Sequence, residues 1–140
     1  MTADSLATTA EEETVAAGER FALTLAPGTV ILLYGQLGAG KTAFVRGIAR
    51  GLGAAADEVS SPTFTIIQEY RAPDVTLYHV DLYRLEPIEV EDLGLEELVS
   101  GGGIVAIEWA ERWRGRPDDA IEVRIEDRGE DRRAIEVRTP

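Results

Sequence analysis

Of the 14 basic residues in this chain only one is a lysine, and it lies in the run Gly35-Gln36-Leu37-Gly38-Ala39-Gly40-Lys41-Thr42. In a composition so biased towards arginine, Lys41 marks a position that arginine does not serve. The run has the form G-x-x-x-x-G-K-[ST], a phosphate-binding P-loop. Its glycines let the backbone curl so that successive N–H groups face an anion. The helix that follows presents its positive end to the same phosphates. Lys41 supplies a compact point charge for β- and γ-oxygens, where the guanidinium fork does not fit. The Thr42 hydroxyl suits a magnesium ion. Gly35, Leu37, Gly38, Ala39, Gly40, Lys41, Thr42 and Ala43 are therefore the expected nucleotide-contacting stretch.

The flanking residues supply the context that this loop requires. Val30-Ile31-Leu32-Leu33-Tyr34 is a continuous apolar run, as in a parallel strand buried on both faces. After Thr42, Phe44, Ile48 and Leu52 recur at helical spacing, with Arg46 and Arg50 between them. Gly51 and Gly53 are expected to stop that helix.

Hydrolysis asks for more than a P-loop: a second side chain on the metal and a group that orients water. Two acids follow strand-like apolar runs, Asp81 after Leu77–Val80 and Glu108 after Ile104–Ile107. Ligands of open α/β sheets gather at the carboxyl ends of strands. A solvated acid is the ordinary reading of either residue alone. In a P-loop chain Asp81 becomes a candidate magnesium ligand, and Glu108 a candidate to position or activate water, with a place on the metal also open to it. Thr63, in Ser60-Ser61-Pro62-Thr63-Phe64 about twenty residues beyond the P-loop, could close over the metal as a switch residue. His79, the only histidine, reads as a packed or hydrogen-bonded strand residue. Trp109 and Trp113 read as core or rim aromatics.

The remaining elements must position these groups. Residues 1–10 are expected to be flexible. Glu11–Leu25 reads as a first helix with Val15, Phe21, Leu23 and Leu25 as apolar contacts. Thr65–Tyr70 and Val75–Val80 read as a hairpin, and Leu85–Leu98 as a helical stretch interrupted at Gly94. Ile121–Ile125 and Ile135–Val137 form a terminal hairpin around Asp127-Arg128-Gly129. The 140 residues suit one domain. There is no cysteine, hence no disulfide framework or thiolate metal site. No apolar run reaches membrane-spanning length and residues 1–10 lack a signal-peptide pattern, so a soluble cytoplasmic protein is expected. The formal net charge of −12 disfavours unaided binding to nucleic acid.

Taken in order, Tyr34-Gly35-x-Leu37-Gly38-Ala39-Gly40-Lys41-Thr42, Ser61-Pro62-Thr63-Phe64, Tyr78-His79-x-Asp81-x-Tyr83-Arg84 and Glu108-Trp109 resemble the motif series of the bacterial TsaE family. These are the small ATPases of tRNA threonylcarbamoyladenosine biosynthesis. The likeness runs from about Glu11 to the C-terminal hairpin. It implies a three-layer P-loop α/β fold, with a mostly parallel central sheet, antiparallel edge strands and a C-terminal β-hairpin. It implies slow hydrolysis of ATP with Mg²⁺, and action on TsaD- and TsaB-type partners. TsaD transfers the threonylcarbamoyl group, and the ATPase permits repeated turnover. Contact with tRNA is then indirect, and no membrane is involved; self-association stays open. The resemblance also carries Thr14, in Thr14-x-x-x-Gly18, to the vicinity of the adenine. It carries Thr63 to the switch loop and Glu108-Trp109 to the family's Glu-Trp pair.

Two other readings fit a lone P-loop. A small-molecule or nucleotide kinase needs an arginine-bearing lid, for which only Arg112, Arg114 and Arg116 are available. A nucleotide-sensing subunit without hydrolysis needs only a loop ordered by ATP.

Overall fold

Apolar residues alternate in direction along the two central strands, and both directions are buried. Ile31 and Leu33 join one core, Val30 and Leu32 the other. Such strands need a layer on each face, and the computed structural model, which describes residues 2–54 and 66–140, has both. Among the described residues there are seven strands, β1 (Thr2–Thr8), β2 (Val30–Tyr34), β3 (Ile67–Arg71), β4 (Thr76–Asp81), β5 (Ile104–Glu108), β6 (Ile121–Gly129) and β7 (Arg132–Thr139). They form one sheet in the order β1-β7-β6-β2-β5-β4-β3. The four central strands pair in parallel, and the outer pairings are antiparallel. On one face lie helices α1 (Glu11–Ala22) and α2 (Lys41–Leu52). On the other lie α3 (Pro87–Glu91), α4 (Leu95–Val99) and the buried Trp113, which follows a 3₁₀ turn at Ala110–Arg112. Among these residues no helix is long and apolar enough to cross a membrane.

The first face is held by an unusually close helix pair. A Cβ on Gly47 of α2 would lie 2.0 Å from the Val15 carbonyl oxygen of α1. One on Gly18 would lie 2.2 Å from the Phe44 carbonyl oxygen, and one on Gly51 2.6 Å from that of Glu19. Three glycines thus let two backbones touch. Gly51 serves this contact inside α2, where a stop was expected; the helix ends at Gly53 in a left-handed cap. Exposed pairs Arg46–Glu11 and Arg50–Glu19, each at 3.0 Å, flank the seam and add little.

Three further expectations are corrected. Residues 2–8 are an edge strand, with Leu6 opposite Ile135 and Thr8 opposite Arg133. Short polar sequences carry little periodicity, and this one is organised by the β7 edge it pairs with. The first helix ends at Ala22, leaving Leu23 as an exposed cap residue, 79% accessible. The terminal hairpin turns at Glu130-Asp131, both left-handed (φ 53° and 63°), two residues beyond the expected turn. The register shift between Asp127 and Gly129 marks a bulge, which delays the reversal. The β3–β4 hairpin and the break at Gly94 are as expected.

Gly47→Ala tests the helix seam. The added methyl meets backbone, which cannot rotate away, so the loss should fall at the upper end of the roughly 1–3 kcal/mol typical of overpacking. Urea denaturation measures it. A variant as stable as the parent would mean that the helices separate without penalty.

Candidate functional site

Strand β2 ends where the chain must pass very close to β6. A Cβ on Gly35 would lie 2.5 Å from the Ile125 carbonyl oxygen, so only glycine fits. The loop then closes on itself through the Ala39 N–H to Gln36 carbonyl bond, 3.0 Å. Gly40 enters α2 in the left-handed region, φ 107°. The N-cap residue of α2, Gly40, offers no side-chain cap, and no acid lies in its first turn. The first N–H groups of this twelve-residue helix are therefore left to an anion.

Lys41 is 4% exposed. Its ammonium donates to the Gly35 carbonyl oxygen at 2.6 Å and lies 3.9 Å from the centre of the Trp109 ring. Burial lowers its pKa, opposed by the carboxylates of Glu108, Glu111 and Asp81. Trp109 holds its ring there with a left-handed backbone (φ 58°) and packs against Tyr83, ring centres 5.0 Å apart. A bulky residue in that region stores strain, a feature that clusters at functional sites.

The acids arrive from two neighbouring strands. Asp81 and Glu108 are register partners at the ends of β4 and β5. The Thr42 hydroxyl donates to Glu108 Oε2 at 3.3 Å, joining the P-loop helix to β5. His79 Nε2 hydrogen-bonds the same oxygen. Asp81 Oδ1 accepts from the Tyr83 N–H at 3.0 Å.

Lys41, Thr42, Asp81, Glu108 and Trp109 share one cleft of about 460 Å³. Of the residues singled out in the sequence, Thr14, Leu37, Gly38, Gly40, Lys41, Thr42, Ala43, Asp81, Glu108 and Trp109 line it. Gly35 and Ala39 do not. Gly35 contributes through its carbonyl bond to Lys41, and the Ala39 methyl is buried in the core. Thr63 lies outside the described residues. Thr14 is buried, its hydroxyl 2.9 Å from that of Thr8.

Sequence reasoning missed Glu11, Arg46, Asp131 and Arg133, which also line the cleft. Arg133 comes from β7. Its Nη1 donates to Asp127 Oδ1 at 2.9 Å, and its Nε would be 3.6 Å from a Cβ on Gly40. No local pattern connects residue 133 to residue 40; the hairpin brings them together. Arg112 and Arg116, the candidate lid arginines, instead donate to backbone carbonyls of Leu85 and of Ala110 and Trp113. Neither lines the cleft.

A buried parallel strand, a glycine loop and an uncapped helix facing two strand-end acids define a P-loop α/β domain. The family model for the threonylcarbamoyl adenosine biosynthesis protein TsaE matches residues 8–135, and the chain belongs to the TsaE family. It is 46% identical over 131 residues to the tRNA threonylcarbamoyladenosine biosynthesis protein TsaE of a Nostoc species, covering 91% of this chain and 80% of that one. The Bacillus subtilis protein of the same name is 46% identical, covering 89% and 78%. The Rickettsia bellii one is 42% identical, covering 91% and 89%. The fold matches the crystal structure of Bacillus subtilis YdiB with a TM-score of 0.78 at 35% identity, over 99% of this chain and 86% of that one. The family places the chain in the biosynthesis of threonylcarbamoyladenosine on tRNA.

The lowered Lys41 pKa has a testable sign. In the window below the ordinary lysine range the unfolded chain holds more proton on residue 41 than the native one, so native stability rises with pH there. Denaturation of the parent and of Lys41→Met, from pH of about 7 to about 10, should show the difference moving in the parent's favour as pH rises. A difference that stays flat means the ammonium is as well solvated as in water.

Proposed function

We propose that this protein is a magnesium-dependent ATPase subunit that serves threonylcarbamoyladenosine modification by acting on a TsaD–TsaB-type pair. The observation that carries the reading is the convergence of an uncapped P-loop helix, Lys41 and two strand-end carboxylates in one cleft.

The donor set fits Mg²⁺ better than a protein-only metal site. Among the described residues no cluster of three or more His, Cys, Asp or Glu could hold a metal alone. Magnesium in nucleotide sites takes one or two carboxylates and completes its shell with phosphate and water. Thr42, Asp81 and Glu108 offer a hydroxyl and two carboxylates of that kind. Cleft electrostatics agree: four lining acids, Glu11, Asp81, Glu108 and Asp131, oppose three cations, Lys41, Arg46 and Arg133. A bare polyphosphate gains little there, whereas a nucleotide carrying a divalent cation brings charge for the acids as well.

In this reading the α2 N-terminus and the P-loop N–H groups bind the phosphates. Lys41 leaves the Gly35 carbonyl for the β/γ oxygens, where it steadies charge developing in the transition state. Thr14 and Trp109 border the nucleotide, and Arg133 adds charge from the hairpin. Asp81 holds the metal from the second strand, and Glu108 orients the attacking water. Thr63 acts as the switch residue: the chain enters β3 next to Asp81, whose N–H donates to the Ile66 carbonyl oxygen at 3.0 Å. The net charge of −12 suits docking on proteins, with tRNA held by the partners.

Phosphate release measures the activity. Slow ATP hydrolysis should rise on adding a TsaD–TsaB pair and cease without Mg²⁺; no hydrolysis under any of these conditions rejects the ATPase reading in favour of nucleotide sensing. Two variants divide the acids. Asp81→Asn should weaken Mg²⁺-dependent ATP affinity and rate together. Glu108→Gln should keep ATP bound while slowing hydrolysis roughly 10²-fold or more. Identical defects in both would show that at least one role is misassigned.

A further inference from the structure

His79 is fully buried, with Nε2 on Glu108 and Nδ1 without a hydrogen-bond partner among the described residues. A histidine that merely fills space has no need of a directed bond to a site carboxylate. Orphaned Nδ1 is the more informative end. A buried N–H left unpaired is costly, whereas a bare ring lone pair is tolerated more readily. The tautomer protonated on Nε2 therefore satisfies the site, and the one protonated on Nδ1 does not: it would strand its N–H and set two lone-pair acceptors face to face.

Glu108 receives two donors on a single oxygen. Thr42 reaches Oε2 from α2, and His79 reaches it from β4. Oε1 has no hydrogen bond among the described residues. A glutamate at a strand end has several rotamers open to it, and two donors from separate elements select one of them.

We propose that His79 is the positioning residue of the cleft: by donating from Nε2 to Oε2 it fixes the Glu108 carboxylate and leaves Oε1 as the oxygen available to the reaction. The kinetic consequence rests on the ATPase reading given above; the tautomer and the hydrogen bond do not.

Side-chain reach tests the idea. A glutamine amide nitrogen can stand where Nε2 stands, whereas an asparagine amide ends near the position of Nδ1. His79→Gln should keep hydrolysis within a few-fold of the parent. His79→Asn and His79→Leu should lose about 10- to 100-fold in kcat, the range for ligand-orienting partners. ATP affinity should stay within about twofold throughout, because phosphate binding uses the P-loop. If Gln and Asn variants share one rate, or if affinity falls in step with kcat, His79 is only a packing residue and the proposal is overturned. Should the leucine variant fail to fold, the Gln/Asn pair still decides. The second arm uses nucleotide-free protein. Nitrogen NMR of the labelled imidazole should show a proton on Nε2, none on Nδ1, and a shift of the Nε2 resonance in Glu108→Ala. A proton on Nδ1, or no response to Glu108→Ala, overturns the proposal even if ATP hydrolysis is robust. The expected spectrum in a protein that never hydrolyses ATP would retire the ATPase reading and keep the positioned carboxylate.

Discussion

Parallel register across three strands sets everything in the cleft. Leu33 of β2 pairs with Glu108 of β5, and Glu108 pairs with Asp81 of β4. The P-loop therefore begins two residues beyond the level at which both acids end their strands. Side chains alternate with a period of two, so a slip of one residue would turn Glu108 towards the opposite face, away from Thr42. Apolar residues on both faces of β2 and β5 make such a slip expensive, since each face has its own packed core. The site inherits its geometry from the buried apolar bodies of these strands.

The helix seam carries that geometry to the P-loop side of the cleft. Gly18, Gly47 and Gly51 bring the backbones of α1 and α2 into contact, and α2 is the helix whose first turn faces the cleft. The same seam sets Thr14 beside Gly40. The edge strand β1 anchors α1 at this same end through the Thr8–Thr14 hydroxyl pair. The hairpin β6–β7, which β1 extends, delivers Arg133 to the rim of the loop. An edge that looks peripheral thus braces the cleft end of the molecule.

Within the cleft, Lys41 is held by a carbonyl and an aromatic face, both weaker partners than phosphate oxygens. Burial disfavours its charge and the surrounding acids restore part of it. An arriving polyphosphate would find a cation that is pre-placed and poorly solvated, so little water need be removed from it. The left-handed Trp109, next to Glu108, keeps the ring over this ammonium at the expense of backbone strain.

Much of this was legible in the residues themselves. The P-loop, its strand and its helix are short-range patterns: contiguous apolar residues, glycines at set offsets, one lysine. Asp81 and Glu108 could be picked out because they close apolar runs, and strand ends are where such sheets bind ligands. The order of motifs pointed to the TsaE family, whose model the chain matches. Tertiary structure alone decided the rest. Nothing in residues 2–8 foretold their pairing with β7, because an edge strand takes its conformation from the neighbour it bonds to. Gly51 looked like a helix stop until α1 was packed against it. Arg133 and Gly40 are neighbours because the sheet order seats β7 beside β6 and β6 beside β2. His79 read as a packed or hydrogen-bonded strand residue; which oxygen its ring meets depends on how β4 lies against β5. Periodicity and propensity record what a residue does with its neighbours in sequence. Contacts across tens of residues exist only once the register of the sheet has been chosen.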